Sequence, residues 1–141
     1  MKKIEKIQCR ALKFIYNDFS SSYTTLRQKA NRPLLYVERL RMIVTEVYKC
    51  VNDLNPDYLN TLFSLKTQVY NTRNIHVNLP NYRTVKYGKH CIKYEGAFLW
   101  NLLDNNVKQS MTLKMFKNSI KLWNGPTCNC SFCNICVMSN I

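Results

Sequence analysis

Glycine, acidic side chains and long apolar runs are all scarce in this chain of 141 residues. The three glycines leave almost nothing from which to build a glycine-rich phosphate loop. No apolar run reaches about 18 residues, so the sequence predicts neither a transmembrane helix nor a membrane partner. The eight carboxylates include no obvious acid/base or metal-binding pair. We therefore predict that the protein is not an enzyme and has no small-molecule substrate.

The charged residues of the chain are mostly positive. The 21 lysines and arginines give a formal net charge of +13. Such an excess favours phosphate-rich or acidic partners and argues against basic ones. The apolar fraction of 46% is normal for a globular protein, and the length suits one ordinary domain. We predict a helical domain over residues 1–124 and a Cys-rich tail over residues 125–141.

Cysteine usage indicates a reducing compartment. The chain has seven cysteines, an odd number, and Cys9, Cys50 and Cys91 are far apart in apolar or helical surroundings. This spacing favours free thiols over a secreted disulfide framework. The basic N-terminus is interrupted by Lys13 and Asp18 and makes a poor signal peptide. We expect an intracellular protein of the nucleus or cytoplasm, neither secreted nor transmembrane.

The predicted fold class is mainly α, with five or six helices around a long central helix. Apolar residues at helical spacing predict helices over 2–17 and 33–53, and Ser21 or Ser22 can cap a short helix over 23–29. The helix over 33–53 has the longest apolar series and should form the centre of the core. The first helix carries Ile4, Ile7, Ala11 and Phe14, with Ile15 beside them, and the central helix carries Leu34, Val37, Leu40, Val44, Val47, Tyr48 and Val51.

The second half of the chain mixes two kinds of pattern. Alternation of apolar and polar side chains predicts two short strands, over 75–79 and 82–87, which form a small two-stranded β element. Helical spacing returns over 91–103 and over 112–123, where Thr112 is placed as an N-cap. These elements complete the helical domain that precedes the Cys-rich tail.

Three groups of basic residues are candidate nucleic-acid contacts, because regularly spaced Lys and Arg can neutralise phosphates and release counterions. The first group follows the first helix and the third follows the last helix. The second lies where tyrosines alternate with cations, a pattern suited to single-stranded nucleic acid, because bases stack on the rings and phosphates pair with the cations. Solvated helix faces, and core packing for the tyrosines, are the alternative interpretation. The candidates are Lys3, Lys6, Arg10 and Lys13; Arg83, Lys86, Lys89 and Lys93 with Tyr82 and Tyr87; and Lys114, Lys117 and Lys121.

The tail contains a dense cluster of thiols with the spacing C-x-C-x2-C-x2-C. Four thiolates can enclose a tetrahedral zinc ion in a structural site. The spacing differs from that of usual zinc fingers, which separate two pairs of ligands by a long loop, and a reduced tail without metal is the alternative. The candidate zinc ligands are Cys128, Cys130, Cys133 and Cys136.

Three segments resemble the region downstream of the polymerase core in non-LTR, LINE-type retrotransposon reverse transcriptases of the jockey-like kind. Residues 5–16 (EKIQCRALKFIY) resemble that family's L-E-x-I-Q-R-R-A-x-x-x-I helix. Residues 34–41 (LLYVERLR), followed by 46–49 (EVYK), resemble its S-L-x-x-R-R-L … E-x-Y-K-I-L helix. Residues 91–103 (CIKYEGAFLWNLL), followed by 113–117 (LKMFK), resemble S-F-x-Y-x-A-x-x-L-W-N-x-L-P … L-x-x-F-K.

The resemblance extends over most of the chain. It implies that the chain is a C-terminal piece of such a polyprotein. The family's catalytic palm and endonuclease lie upstream of this region and have no counterpart here. The departures are Cys91-Ile92, where Ser-Phe is usual, and Leu103-Asp104, where Leu-Pro is usual. The expected role is accessory: sequence-independent binding of template RNA or target DNA, with the polymerase core of the parent protein as a further partner.

Two other interpretations of the same sequence remain open. One is a decayed transposable-element remnant without a selected activity. The other is a basic protein-interaction module, whose charge serves solubility.

Overall fold

The computed structural model describes residues 3–66 and 75–126, and these residues are mainly helical. The chain divides into two units, Met1–Arg39 and Leu40–Ile141. The predicted tail over 125–141 lies outside the described residues from position 127 onward. The described helices are α1 (Lys3–Tyr16), α2 (Tyr23–Lys29), α3 (Leu35–Val51), α4 (Asp57–Asn60), a π-helical turn (Val85–Lys89), α5 (Ile92–Leu102), α6 (Asn105–Lys108) and α7 (Leu113–Ile120).

The first unit contains α1 and α2, close to their predicted bounds. The Ser22 side chain caps α2 by accepting a hydrogen bond from the Thr25 backbone N–H at 3.3 Å, so the cap is the second of the two serines that the sequence offered. Asp18 closes the connection, because its carboxylate accepts hydrogen bonds from the Ser21 N–H at 2.9 Å and the Lys29 ammonium at 3.0 Å. Hydrogen bonds from Ser21 and Lys29 hold the pKa of Asp18 well below its ordinary value.

Helix α1 does not bury the side that carries its apolar series. Its buried residues are Glu5 and Leu12, and the Tyr23 hydroxyl hydrogen-bonds to the Glu5 carboxylate and lies 2.5 Å from Oε1 of Gln8. Burial, followed by the bond to Glu5, raises the pKa of Tyr23 above its ordinary value. The apolar series of the helix stays exposed instead. We call it the α1 apolar face; it comprises Ile4, Ile7, Ala11, Phe14 and Ile15.

The second unit has an aromatic core. Tyr48 of α3 stacks on Phe116 of α7 with ring centroids 4.2 Å apart, and Trp100 of α5 lies 6.1 Å from the same ring. All three side chains are buried. The Tyr48 hydroxyl donates to the Ser110 carbonyl at 2.7 Å, so its polar end is satisfied inside the core. The predicted apolar series of the central helix is therefore correct from Val37 to Tyr48, where each of its members is buried.

Gly96 lets α5 approach its neighbours closely. A Cβ atom at this position would lie 2.9 Å from both Phe63 Cζ and Val47 Cγ2. These distances are shorter than carbon atoms tolerate, so the packing of the helix against both side chains requires the absence of a side chain here. The sequence offers no sign of this constraint, because it depends on two residues that are distant along the chain.

The predicted two-stranded β element is wrong for the described residues. Val77 forms an isolated antiparallel bridge with Leu65, outside the predicted pair. The side chain of Asn101 then hydrogen-bonds both backbone groups of Val77, accepting from N–H at 2.9 Å and donating to C=O at 3.0 Å. A side-chain amide thus takes the place of a partner strand, and the buried backbone needs no further pairing.

The predicted second strand, over 82–87, instead leads into a π-helical turn at Val85–Lys89. The chain folds back here so that Gly88 lies against Tyr82. Only glycine fits this position, because a Cβ atom there would lie 2.7 Å from Tyr82 Cβ. The Thr84 carbonyl accepts from the Gly88 N–H at 2.9 Å and from the Lys89 N–H at 3.3 Å, and the bond from Lys89 closes the π-helical turn. The alternating pattern therefore arises from an irregular segment and not from a hairpin.

Candidate nucleic-acid interface

The first predicted group of cations lies on α1, within the first unit. Lys3, Lys6 and Arg10 are exposed, as a phosphate-binding role requires. Lys13 is half-buried, and its ammonium donates to the Phe19 carbonyl at 3.0 Å. Lys13 therefore holds the loop after α1, while the other three are the accessible cations of this helix.

The cations of the second predicted group extend from just before the π-helical turn, at Arg83, to the first turn of α5, at Lys93. Arg83 and Lys93 are exposed and Lys89 is half-buried, whereas the side chain of Lys86 lies outside the described part of the chain. Among the cations of this group whose side chains the structure describes, Arg83 and Lys93 are the exposed ones.

The two tyrosines of this group have different surroundings. The Tyr82 ring packs edge-on against Tyr94, with centroids 4.9 Å apart, so part of its surface serves the fold. Tyr94 is buried, and burial raises the pKa of its hydroxyl. Tyr87 is 74% exposed. Of the predicted base-stacking rings, Tyr87 is therefore the most accessible.

The third predicted group lies on α7, beginning after the Thr112 N-cap. The Thr112 hydroxyl accepts a hydrogen bond from the Met115 N–H at 3.2 Å, which fixes the start of the helix as predicted. Burial of Phe116 and Ile120 fixes its rotation and directs the lysines to solvent. The exposed lysines are Lys114, Lys117 and Lys121.

A groove between α3 and α7 brings two of these lysines together with cations that the sequence analysis did not select. Its volume is about 410 Å³. The helix α3 supplies Arg41 and Lys49, eight residues apart, and two helical turns place them on one side. We call this site the α3–α7 groove; its lining residues are Arg41, Met42, Thr45, Glu46, Lys49, Lys117, Ile120 and Lys121.

The charges in the α3–α7 groove are unbalanced. Four cations face a single carboxylate, and that carboxylate is already engaged: Glu46 accepts from the Lys49 ammonium at 2.7 Å and from the Asn55 amide at 3.4 Å. Within residues 3–66 and 75–126, neither Lys117 nor Lys121 forms an ion pair with a carboxylate. The groove thus has an uncompensated positive charge on its α7 side, suited to an anionic ligand.

Arg41 links the groove to the turn that follows α7. Its Nε donates to the Trp123 carbonyl at 2.8 Å and its Nη2 to Oδ1 of Asn124 at 3.3 Å. These two bonds fix the plane of the guanidinium group, while Nη1 forms no hydrogen bond with the residues that the structure describes. A cation held in this way loses little conformational entropy when it binds an anion.

Arg41 and Lys49 were missed as site residues. Their spacing on one side of α3 is visible in the sequence, but the pairing of this side with α7 is not. The predicted Lys114, Arg83, Lys89 and Lys93 are absent from the groove lining. Two of the predicted cations, Lys117 and Lys121, therefore line the groove together with two that the sequence analysis did not select.

Lys108, in the second unit, has a shifted pKa that its structural role explains. Lys108 is buried in α6, and burial lowers its pKa. Its ammonium lies 3.5 Å from the Asn101 carbonyl near the end of α5, where the negative end of the helix dipole favours a cation. We assign it a role in joining these two helices.

No described helix has the length and apolar character needed to span a membrane, and residues 3–66 and 75–126 contain no cluster of three or more potential metal ligands. The predicted zinc ligands Cys128, Cys130, Cys133 and Cys136 lie outside the described residues, so the zinc site stays a prediction. No protein-family model, curated protein or solved structure matches the chain.

Proposed function

We propose that the protein binds RNA or DNA without sequence preference, and that the α3–α7 groove is its main phosphate-binding surface. The observation that carries this proposal is the convergence of four cations, from two helices, on one groove with an engaged carboxylate. Lys117 and Lys121 supply mobile charges for phosphate oxygens. The fixed guanidinium of Arg41 supplies a directed donor.

The floor of the groove supports a nucleic-acid ligand over a simple inorganic anion. Ile120 is buried beneath it, and Met42 is 70% exposed at its side. A methionine thioether makes favourable contacts with aromatic rings, so a nucleotide base can pack against Met42 while its phosphate meets the lysines. Such packing has no base-specific hydrogen bonds, which is why we propose binding without sequence preference.

The resemblance to non-LTR retrotransposon reverse transcriptases supports a more specific form of the proposal. In this form the chain is an accessory C-terminal part that holds template RNA or target DNA for a polymerase core located elsewhere. The isolated chain then binds nucleic acid but has no polymerase or nuclease activity. Metal-dependent DNA synthesis by the purified 141-residue chain would contradict this form.

The proposal is tested by fluorescence anisotropy of labelled single-stranded RNA and duplex DNA at several salt concentrations. We expect log Kd to rise linearly with log salt, and for RNA we expect Lys117→Gln/Lys121→Gln to reduce that slope by about 1.4, or about 0.7 per lost phosphate contact. Lys114→Gln is the matched control, since it removes an exposed lysine from the same helix but outside the groove. Absence of binding at low salt by folded protein, or a reduction of the slope by about 0.7 in Lys114→Gln, the same per lysine as in the double variant, would refute the proposal.

A further inference from the structure

The α1 apolar face is exposed although its helix is well anchored. Ile4, Ile7, Phe14 and Ile15 are between 65% and 73% exposed. The opposite side of the helix is held by the buried Glu5 and its hydrogen bond with Tyr23. The helix therefore cannot turn its apolar residues inward without breaking this bond. Contiguous apolar residues kept in water in this way indicate a site of contact with another molecule.

The aromatic end of this face is fixed before any partner arrives. Phe14 packs edge-on against Phe19, with ring centroids 5.3 Å apart, and Phe19 is itself 56% exposed. Lys13 fixes the Phe19 backbone through its bond to the carbonyl. Pre-positioned aromatic side chains lower the entropy cost of binding and are frequent centres of protein interfaces.

Charge is distributed on one edge only of the α1 apolar face. At 100° per residue, Lys3 and Arg10 lie along one edge, with Lys6 next to them, whereas the uncharged Gln8 lies on the other. A ligand that covers the apolar residues therefore meets cations on one side. This asymmetry is complementary to a helix that carries carboxylates along one edge of its own apolar stripe.

The same distribution disfavours two other occupants. A helix that lies in a membrane surface keeps its Lys- and Arg-rich polar side in water, whereas the polar side of α1 is partly covered, since Glu5 is buried and Lys13 is half-buried. A second copy of this chain would bring two molecules of net charge +13 together, with two basic edges near one interface. We propose that the α1 apolar face docks an acidic amphipathic helix of a partner protein, an interaction separate from nucleic-acid binding.

A synthetic peptide provides the test. The probe is a fluorescein-labelled peptide as long as α1, with leucines at helical spacing and glutamates along one edge of the leucine stripe. Its control has lysines in place of the glutamates. We expect the full-length protein to bind the glutamate peptide at least about tenfold more tightly than the lysine peptide, with a gain of peptide helicity in circular dichroism.

Protein variants locate the site of binding. Ile7→Ser/Phe14→Ser should weaken binding of the glutamate peptide about tenfold or more, because both side chains lie within the α1 apolar face. Met111→Ser is the matched control, since it removes an exposed apolar side chain from the second unit. Arg10→Gln should weaken binding and reduce its salt dependence. All four substituted positions are exposed, so circular dichroism should show unchanged folding.

Four results would overturn the proposal. They are failure to bind the glutamate peptide, equal binding of the two peptides, an equal effect of the Met111→Ser control, and self-association of the protein that Ile7→Ser/Phe14→Ser abolishes. Sedimentation with phosphatidylserine vesicles that requires Ile7 and Phe14, in protein that does not bind the peptide, would assign the face to a lipid surface instead.

Discussion

Helices α1 and α7 each carry an apolar stripe beside a basic stripe, yet different sides of them are covered. In α7 the apolar side chains Phe116 and Ile120 are buried, and two lysines face the α3–α7 groove. In α1 the apolar side chain Phe14 is exposed, and the acidic Glu5 is buried. Helical periodicity therefore defines the faces of a helix, whereas its neighbours decide which face is covered.

The difference has a local cause in each unit. The α7 stripe meets large aromatic rings of α3 and α5, so burial of Phe116 removes much apolar surface from water. In the first unit, Tyr23 of α2 offers α1 a hydroxyl group, which selects the carboxylate side by a hydrogen bond. A polar partner can thus orient an amphipathic helix against its apolar pattern.

Truncation of one phenylalanine in each helix tests this difference between α1 and α7 most directly. Phe116→Ala should lower the free energy of unfolding by about 3–5 kcal/mol, because it leaves a cavity between Tyr48 and Trp100. Phe14→Ala should change it by only about 0.5 kcal/mol, as expected for an exposed side chain. Urea unfolding followed by circular dichroism measures both values. A loss for Phe14→Ala as large as that for Phe116→Ala would show that α1 buries its apolar face.

A smaller effect is expected for the pH dependence of stability in the first unit. The pKa of Asp18 is lowered in the folded state by hydrogen bonds from Ser21 and Lys29, so its contribution to stability is present above the unfolded-state pKa of about 3.9. That contribution is lost as the pH falls through this value towards the folded-state pKa. Asp18→Asn should therefore lower Tm at neutral pH, and the difference from the unsubstituted protein should shrink in acid.

Thermal unfolding at neutral pH and near pH 2, below the ordinary pKa of an aspartate, tests this effect. Lys29→Gln is the control: it removes one donor but leaves the Ser21 bonds, so its effect at neutral pH should be smaller than that of Asp18→Asn. A difference in Tm that persists unchanged in acid would mean that the carboxylate is not the source of the stability.

Local signals made much of the helical fold predictable. The Thr112 cap and the apolar series from Val37 to Tyr48 depend on neighbouring residues and were correctly identified, and Ser22 is one of the two serines predicted to cap α2. The β element was not, because Asn101 replaces a partner strand for Val77 and lies far from it in the sequence. Alternation alone does not distinguish a hairpin from an extended segment that is paired by a side chain.

The candidate site was predictable only in part, for the same reason. Lys117 and Lys121 were selected from their own helix, where the spacing to Phe116 and Ile120 shows that they face solvent. Arg41 and Lys49 become site residues only through the packing of α3 beside α7. Charge density identifies candidate cations, but convergence of cations from distant segments is a tertiary property.

The central claim is that nucleic acid binds the α3–α7 groove more strongly than it binds the basic edge of α1. The measurement is RNA affinity, by anisotropy at low salt, of Lys117→Gln/Lys121→Gln against Lys3→Gln/Lys6→Gln. Each variant removes two exposed lysines and the same charge. We expect the groove variant to lose about tenfold or more in affinity and the α1 variant to lose clearly less. Equal losses, or a larger loss for the α1 variant, would contradict the account.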